Sequence, residues 1–294
     1  MSVQKTADIM GKTVRLWAPY EPDRRSVGKL IGRENELRII AAAWLAGKAS
    51  LPLAPLLVGP PGVGKNRLVY EISQQTGKKL FIFQGHEDVA AEELACSVRF
   101  SDEDSSRMEY TASPLVTAMH LGEICFIDEI AKIRPRALAL LASVLDERRY
   151  IDSNLLGGRV IAKAGFRFIA ATNTADLEGN ALPAFIRSRL HPVVHFNYPS
   201  EKEIEQIVQD QFLEDQDRVP ELLGTFWEEW GKLRIARGPS PREAITVFSL
   251  ASSLSASGRA GGAPGSLEYD SYSDLMSEHV SQAMEDLGAD FREG

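Results

Sequence analysis

The sequence predicts an α/β fold, in which three layers are built on a parallel five-stranded sheet and an all-α lid domain follows. Short apolar runs alternate with longer stretches of helical period up to Pro199, which is typical of a sheet covered by helices. Beyond Pro199 the strand pattern stops, so the rest of the chain is expected to be helical. The predicted strands are Pro55–Val58, Leu80–Phe83, Ile124–Asp128, Phe166–Thr172 and Val193–Asn197.

Local patterns indicate a hairpin and two helix starts. Residues 149–163 alternate apolar and polar residues around Leu155, Leu156, Gly157 and Gly158, which predicts a β-hairpin before the fourth strand. A serine followed three residues later by a glutamate is the spacing of a capping box. Two such pairs occur after the last strand: Ser200 with Glu203, and Ser240 with Glu243.

These signals divide the chain into three parts. We expect an N-terminal segment over residues 1–26, an α/β core over 27–198 and a helical lid domain over 199–294. Within the lid, residues 255–266 are rich in Gly, Ser and Ala and are expected to form a flexible linker. One face of the expected last helix carries Tyr272, Leu275, Met276, Ala283, Met284 and Leu287.

Composition narrows the classes of protein. The 294 residues are 44% hydrophobic and carry a formal charge of −8, which argues against a broad nucleic-acid or anionic-membrane surface. No apolar run reaches the roughly 18 residues that a membrane span needs, and the first ten residues lack a signal-peptide core. Cys96 and Cys125 have no metal-ligand spacing and fit a reducing compartment. We therefore expect a cytoplasmic protein without a membrane partner.

The stretch GPPGVGKNR, which begins at Gly59, follows an apolar strand and precedes a helical pattern, as a phosphate-binding loop must. Its glycines allow backbone N–H groups to converge on phosphate oxygens, and the following helix adds its dipole. Lys65 is placed to contact the β and γ phosphates. The residues predicted to bind nucleotide are Gly59, Pro60, Pro61, Gly62, Val63, Gly64, Lys65, Asn66 and Arg67.

Asn66 stands where the P-loop pattern G-x-x-x-x-G-K-S/T has a hydroxyl that ligates Mg²⁺. An amide oxygen is also a hard donor suited to Mg²⁺, although it is carried one atom further from the backbone. Three alternatives are open: Asn66 ligates the metal, Asn66 leaves a subunit that binds nucleotide but hydrolyses it slowly or not at all, or the loop is an ordinary glycine-rich turn.

The stretch ICFIDEI places Asp128 and Glu129 directly after a predicted buried strand, about 60 residues beyond the loop. In a nucleotide hydrolase the first carboxylate of such a pair supports the Mg²⁺ shell, and the second accepts the proton of the attacking water. We therefore predict Asp128 and Asn66 as metal ligands and Glu129 as the general base.

The order GPPGVGK, FIDEI, FIAATN, PAFIRSRL and GPSPRE resembles the AAA+ ATPases, and the match covers residues 27 to about 250. Within them, the run from PLVTAMHLGEICFIDEI to LDERRYI is similar to the MoxR branch and its CbbQ and NirQ members. The resemblance implies the P-loop AAA+ core and its lid.

The same resemblance assigns further residues. Asn173 matches the sensor 1 residue, Arg189 the arginine finger with Arg187 as the alternative, and Arg242 the sensor 2 arginine. In place of the phenylalanine that usually follows the finger, the chain has Leu190. Ile31 and Gly32 resemble the segment that cradles adenine.

What the resemblance implies about function follows from these parts. An arginine finger completes the site of a neighbouring subunit, so a homo-oligomeric ring or spiral, usually of six subunits, is expected. The cofactors are ATP and Mg²⁺. The expected activity is ATP hydrolysis that remodels a partner protein, often one with a von Willebrand A domain. The alternatives are a nucleotide-dependent scaffold with weak or no ATPase activity and, with less support from the acidic composition, a DNA-acting motor.

Overall fold

The computed structural model describes residues 5–21, 28–45, 51–100, 108–179, 182–212, 219–261, 278–285, 287 and 291. The chain forms two compact units, each made of several segments. The first unit contains residues 1–23, 33–59 and 65–196, and the second contains 24–32, 60–64 and 197–294.

The centre of the first unit is the predicted five-stranded sheet. Its strands are β3 (Ala54–Val58), β4 (Leu80–Gln84), β7 (Ile124–Asp128), β10 (Arg167–Thr172) and β11 (Leu190–His195). They lie in the order β11-β3-β10-β7-β4, and every neighbouring pair is parallel. All five residues of β3 are buried, as expected for a strand covered on both faces. The α/β class and the parallel sheet are therefore confirmed, although β11 begins three residues earlier than the strand predicted at Val193.

Helices cover this sheet. They are α1 (Glu34–Leu45), α2 (Lys65–Thr76), α3 (Pro114–Leu121), α4 (Pro135–Leu138), α5 (Thr174–Gly179) and α6 (Ala184–Arg187). Helix α3 shows how the sequence fixes such an element: the Ser113 hydroxyl accepts the N–H of Val116, and Gly122 ends the helix at φ 81°. Three short 3₁₀ segments occur at Ala91–Leu94, Ile130–Lys132 and Ala139–Ser143.

A second sheet of four strands was not predicted. It consists of β1 (Thr6–Ile9), β2 (Lys12–Arg15), β5 (Cys96–Phe100) and β6 (Met108–Ala112). Its order is β1-β2-β6-β5, so it joins the N-terminal segment to strands nearly a hundred residues away. The predicted hairpin is present as β8 (Tyr150–Ser153) and β9 (Gly158–Ile161), which pair antiparallel.

The second unit is helical wherever the structure describes regular elements after residue 199. Its helices are α7 (Glu201–Gln211), α8 (Val219–Lys232) and α9 (Pro241–Gly261), and residues 278–285 are also helical. Both capping boxes are present: the hydroxyl of each serine accepts an N–H from its glutamate, whose carboxylate accepts the serine N–H. An aromatic group at the core of this unit contains Phe226, Trp230, Phe248 and Phe291.

The linker expected over residues 255–266 is wrong for its first part, because α9 continues to Gly261. Ala and Ser are compatible with a helix, so a segment rich in both residues does not by itself end one. Residues 262–266 and the expected helix positions Tyr272, Leu275 and Met276 lie outside the described residues. Ala283 and Met284, from the same expected helix face, are buried.

Candidate active site

Two glycines of the loop between β3 and α2 have backbone angles that other residues rarely adopt. Gly62 has φ 77° and Gly64 has φ 97°. A Cβ at Gly64 would meet nothing within 4 Å among the described residues, so the backbone angle alone favours glycine there. The loop therefore turns in the way that allows successive N–H groups to converge on one anion.

The first glycine of the loop has a different role, because packing requires it. A Cβ on Gly59 would lie 2.6 Å from the carbonyl oxygen of Phe196, which follows β11. The Gly59 N–H also donates to the Thr172 carbonyl oxygen, at the end of β10, across 3.4 Å. Gly59 thus allows the ends of neighbouring strands to approach each other closely.

Lys65, the first residue of α2, is 7% exposed and brings the loop and Asn173 together. Its ammonium nitrogen donates to the Gly59 carbonyl oxygen at 2.7 Å and to Asn173 Oδ1 at 2.9 Å. Both acceptors compensate a buried charge that would otherwise be costly. A cation held at the mouth of the loop, beside a polar group after β10, is arranged to bind phosphate oxygens.

The side chains of Asn66 and Asp128 are joined by a hydrogen bond. The Asn66 Nδ2 group donates to Asp128 Oδ2 at 2.8 Å, and Asp128 Oδ1 accepts the Glu129 N–H at 2.9 Å. An ionised carboxylate only accepts hydrogen bonds, so the amide presents its NH₂ group to Asp128. This NH₂ group orients the Asp128 carboxylate, and the Asn66 amide oxygen is the atom that remains to ligate a cation.

Glu129 has a left-handed backbone, with φ 53° and ψ 40°. Its Oε2 atom accepts from Gln84 Nε2 and from Lys132 Nζ, each at 3.0 Å. The hydrogen bond to Glu129 raises the pKa of Lys132, so this side chain stays cationic at neutral pH. A carboxylate after a buried strand, held by two donors, fits the predicted general base.

The remaining predicted loop residues are arranged as follows. Val63 is 1% exposed and belongs to the core. The Arg67 guanidinium lies 3.0 Å from Glu71 Oε2 one turn along α2, so an ion pair within the helix engages it. Pro60 and Pro61 lie in the turn and lead into Gly62.

In the second unit, Arg242 lies beside the loop. A Cβ on Gly62 would be 2.9 Å from Arg242 Cβ and 2.9 Å from Ser240 Oγ, so the start of α9 packs directly against this glycine. The Arg242 side chain is exposed. Gly32 has φ 69° and packs against the Glu203 carboxylate in the same unit, where a Cβ would overlap it. The predicted roles of Arg242, Ile31 and Gly32 toward nucleotide stay predictions.

The two candidate finger arginines have different surroundings. Arg189 donates to the Phe185 carbonyl oxygen at 2.7 Å and, more weakly, to Asp146 Oδ2 at 3.4 Å. The stronger partner of Asp146 is Arg148, at 2.8 Å, whose hydrogen bonds lower the pKa of this carboxyl. Arg187, the last residue of α6, is exposed and has no side-chain partner in the described part of the chain.

Magnesium bound with a nucleotide fits the donors present. Asp128 supplies a carboxylate and Asn66 an amide oxygen, both hard donors suited to Mg²⁺. Mg²⁺ keeps several waters and is usually bound by one or two protein groups together with phosphates. The described ranges contain no group of three or more His, Cys, Asp or Glu side chains that could hold a metal ion by themselves.

Sequence reasoning missed two polar residues at this site, Gln84 and Lys132, and also Asp146, the partner of the candidate finger Arg189. Gln84 ends β4 and stands beside Asp128 in the register of β4 and β7. Its place beside Asp128 depends on the order of the strands in the sheet, which no local sequence pattern reveals. Lys132 had a local signal, since it follows Glu129 by three residues and a tight turn brings such residues together.

Comparison with known proteins identifies the fold. Residues 55–190 match the family described as AAA domain (dynein-related subfamily). The fold resembles that of RuvB from Thermotoga maritima, a Holliday junction branch migration motor, with a TM-score of 0.52 over 87% of this chain and 70% of that one. The sequence identity of that pair is 17%, so the similarity shows the fold alone. The chain therefore has the P-loop AAA+ fold.

Two known proteins are similar to the chain in sequence. It is 26% identical to NorQ from Paracoccus denitrificans over 220 residues, which are 72% of this chain and 74% of NorQ. It is 28% identical over 197 residues to an uncharacterized protein from Staphylococcus aureus, covering 66% of this chain and 74% of that protein. The family match and the similarity to NorQ support a nucleotide-dependent AAA+ protein. None of the described helices is long and apolar enough to cross a membrane.

Proposed function

We propose that this protein is a Mg²⁺-dependent ATPase that works as a homo-oligomeric ring or spiral and remodels a partner protein, in the manner of the MoxR branch. The observation that carries the proposal is the convergence of five residues at one edge of the sheet. Lys65 contacts Asn173, Asn66 contacts Asp128, and Glu129 follows directly. These groups lie where an open parallel sheet binds its ligands.

Each residue has a definite task in this proposal. Lys65 and the loop N–H groups bind the triphosphate, and Asp128 with Asn66 orients the metal shell. Bound Mg²⁺ would neutralise phosphate charge during the transfer. Glu129 accepts the proton of the attacking water, and Asn173 helps to hold that water. Arg189 or Arg187 would reach the site of a second copy, and Arg242 would link the second unit to the γ-phosphate.

The test is a phosphate-release assay on the purified protein, with and without the protein encoded beside it in the genome. We expect Mg²⁺-dependent release that increases with the partner. A Lys65→Met variant supplies the control, because it removes the cation of the loop. Release at the same rate from Lys65→Met and from the parent would contradict the proposal, since it would indicate a contaminating ATPase.

A second candidate is a scaffold that uses nucleotide only to set the geometry of the ring. The bond between Asn66 and Asp128 favours it, because this bond occupies one oxygen of the predicted metal ligand. The two functions separate in one pair of measurements. A scaffold would assemble with ATP, as followed by light scattering, and release no phosphate. If duplex or branched DNA stimulated release and the partner protein did not, a DNA-acting motor would be the better description.

A further inference from the structure

The backbone at Glu129 is held in an unusual conformation. A non-glycine residue in the left-handed region costs about 1 kcal/mol or more, so its surroundings must stabilise it. The Gly85 N–H donates to the Asp128 carbonyl oxygen at 2.8 Å. A Cβ on Gly85 would lie 2.5 Å from the Glu129 carbonyl oxygen, so only glycine admits this backbone path. The chain therefore leaves β7 in a fixed direction.

The Glu129 side chain is held through only one of its two oxygens. Gln84 and Lys132 both donate to Oε2, and they come from different elements. Gln84 lies at the end of β4, and Lys132 lies in the 3₁₀ turn after Glu129. Oε1 accepts no hydrogen bond within the described part of the chain. A carboxylate fixed in this way presents one oriented oxygen to a proton donor.

We propose that Lys132 is a positioning residue for Glu129: it holds Oε2 so that Oε1 faces the attacking water. The inference rests on the proposed ATPase function. The Lys132 N–H also donates to the Glu129 carbonyl oxygen at 2.9 Å, so the turn itself brings the ammonium group under the carboxylate. Gln84 fixes the same oxygen from the other side, but it is neutral and leaves the carboxylate charge without a counterion.

If Lys132 had a purely structural role, its removal would lower the melting temperature. The Lys132 and Glu129 side chains are 35% and 29% exposed, and partly exposed ion pairs contribute little to stability. Removing Lys132 should therefore leave the melting temperature almost unchanged. Its effect should appear in turnover, because the orientation of a general base matters in the transition state and hardly at all for binding of nucleotide.

The experiment compares kcat and KM for ATP in three variants of the full chain. We expect Lys132→Met to lower kcat about tenfold, a fraction of what a general base supplies, with KM and melting temperature unchanged. Lys132→Arg should restore most of kcat, because a guanidinium also donates to the carboxylate. Lys232→Met is the matched control: Lys232 forms a similar ion pair with Glu229, at 2.8 Å, within α8.

Four outcomes are distinguishable. An unchanged kcat in Lys132→Met would overturn the inference while the ATPase function stands. An increased kcat would also overturn it, and would mean that Lys132 restrains Glu129 instead of presenting it. A fall in kcat that Lys132→Arg does not reverse, or that Lys232→Met shares, would reduce the role to a general loss of charge. If the parent releases no phosphate while it binds nucleotide, the proposed function fails, and the inference fails with it.

Discussion

Two glutamates in the molecule are each held by a basic side chain, yet their surroundings differ. Glu129, at the end of β7, is 29% exposed, has a positive φ and is bonded through one oxygen. Glu243, in the first turn of α9, is 14% exposed. Arg237 donates to both of its oxygens, at 2.9 and 2.7 Å, and the Ser240 N–H donates to one of them at 2.6 Å.

The difference separates function from stability. Every acceptor of Glu243 is used inside its own unit, and its partner Arg237 also lies over the rings of Tyr198 and Trp230, at 4.6 and 5.9 Å. Glu129 keeps one acceptor oxygen without a hydrogen bond from the described residues, and its backbone has a strained, left-handed conformation. Such strain is concentrated at functional sites. Changes at the sheet edge should therefore alter turnover, and changes at the start of α9 should alter stability.

The largest effect is expected from Glu129→Gln. The amide cannot accept the proton of the attacking water, so turnover should fall by about 10⁴-fold, the upper end for a general base, while ATP binding persists. Phosphate release and binding of a fluorescent nucleotide measure the two effects. Glu92→Gln, an exposed position on the first 3₁₀ segment, is the control. Retained turnover in Glu129→Gln would remove Glu129 from the role of base.

Arg189→Ala should follow, with turnover lowered by about 10³-fold, the lower end for an arginine finger, and with nucleotide affinity of the single subunit unchanged. Arg187→Ala is the matched variant, and the larger loss identifies the finger. Mixing supplies the decisive measurement. Glu129→Gln subunits carry an intact finger, so adding them to Arg189→Ala subunits should restore activity; no rescue at any ratio means that the arginine does not act across an interface.

A several-fold effect is expected at Asn66. Asn66→Thr should raise turnover or the apparent Mg²⁺ affinity, because a hydroxyl reaches the metal position with a shorter side chain. Asn66→Ala should lower both, since it removes the amide oxygen and frees Asp128 from its hydrogen bond. A Mg²⁺ titration of phosphate release compares the three proteins. If Asn66→Ala matches the parent throughout, the side chain has no role in the metal site.

The smallest effect on turnover, but the clearest on stability, is expected from Arg237→Met. Burial alone would raise the pKa of Glu243, yet hydrogen bonds from Arg237 and Ser240 hold it below its ordinary value. A charged bidentate pair of this kind should contribute about 1 to 3 kcal/mol to the free energy of unfolding. Urea unfolding measures the stability, and phosphate release measures the turnover. A fall in turnover with an unchanged free energy of unfolding would contradict a purely stabilising role for Arg237.

The pH dependence of the same pair has a definite sign. A carboxyl whose pKa is lower in the folded state stabilises the fold above its unfolded pKa, about 4.3, and loses this contribution as the pH falls through the folded value. The difference in unfolding free energy between the parent and Arg237→Met should therefore be largest near pH 7 and shrink below about pH 4. Glu243→Gln should remove the pH-dependent part while Arg237 keeps its aromatic contacts.

Much of the fold followed from the sequence because its signals are local. The five apolar strands, the hairpin and both capping boxes each depend on a few neighbouring residues. The four-stranded sheet did not follow, because β1 and β2 are only four residues long and at least half polar, and β2 pairs with β6 far along the chain. Pairing between distant short strands leaves no periodic pattern to detect.

The residues of the site likewise fall into those that the sequence predicted and those that it did not. Asp128 was predicted from its place after a buried strand, and Asn173 from the family resemblance. In the structure Asn66 contacts Asp128, and the preceding residue, Lys65, contacts Asn173. The contacts of Gln84 with Glu129 and of Asp146 with Arg189 depend on side-chain geometry across elements. The sequence alone does not predict these two contacts, because many other acceptors lie at similar distances along the sequence.

The close approach of Gly59 to Phe196 has a consequence for reading variants of this protein. A side chain at Gly59 would collide with backbone of the neighbouring strand before it could affect any phosphate. We therefore expect such variants to misfold and to be insoluble or degraded in cells. A screen that measures only cellular activity would misinterpret them as defects in nucleotide binding. A screen that also measures protein abundance would assign Gly59 to assembly of the sheet and Gly64, where a Cβ meets no described atom within 4 Å, to the ligand.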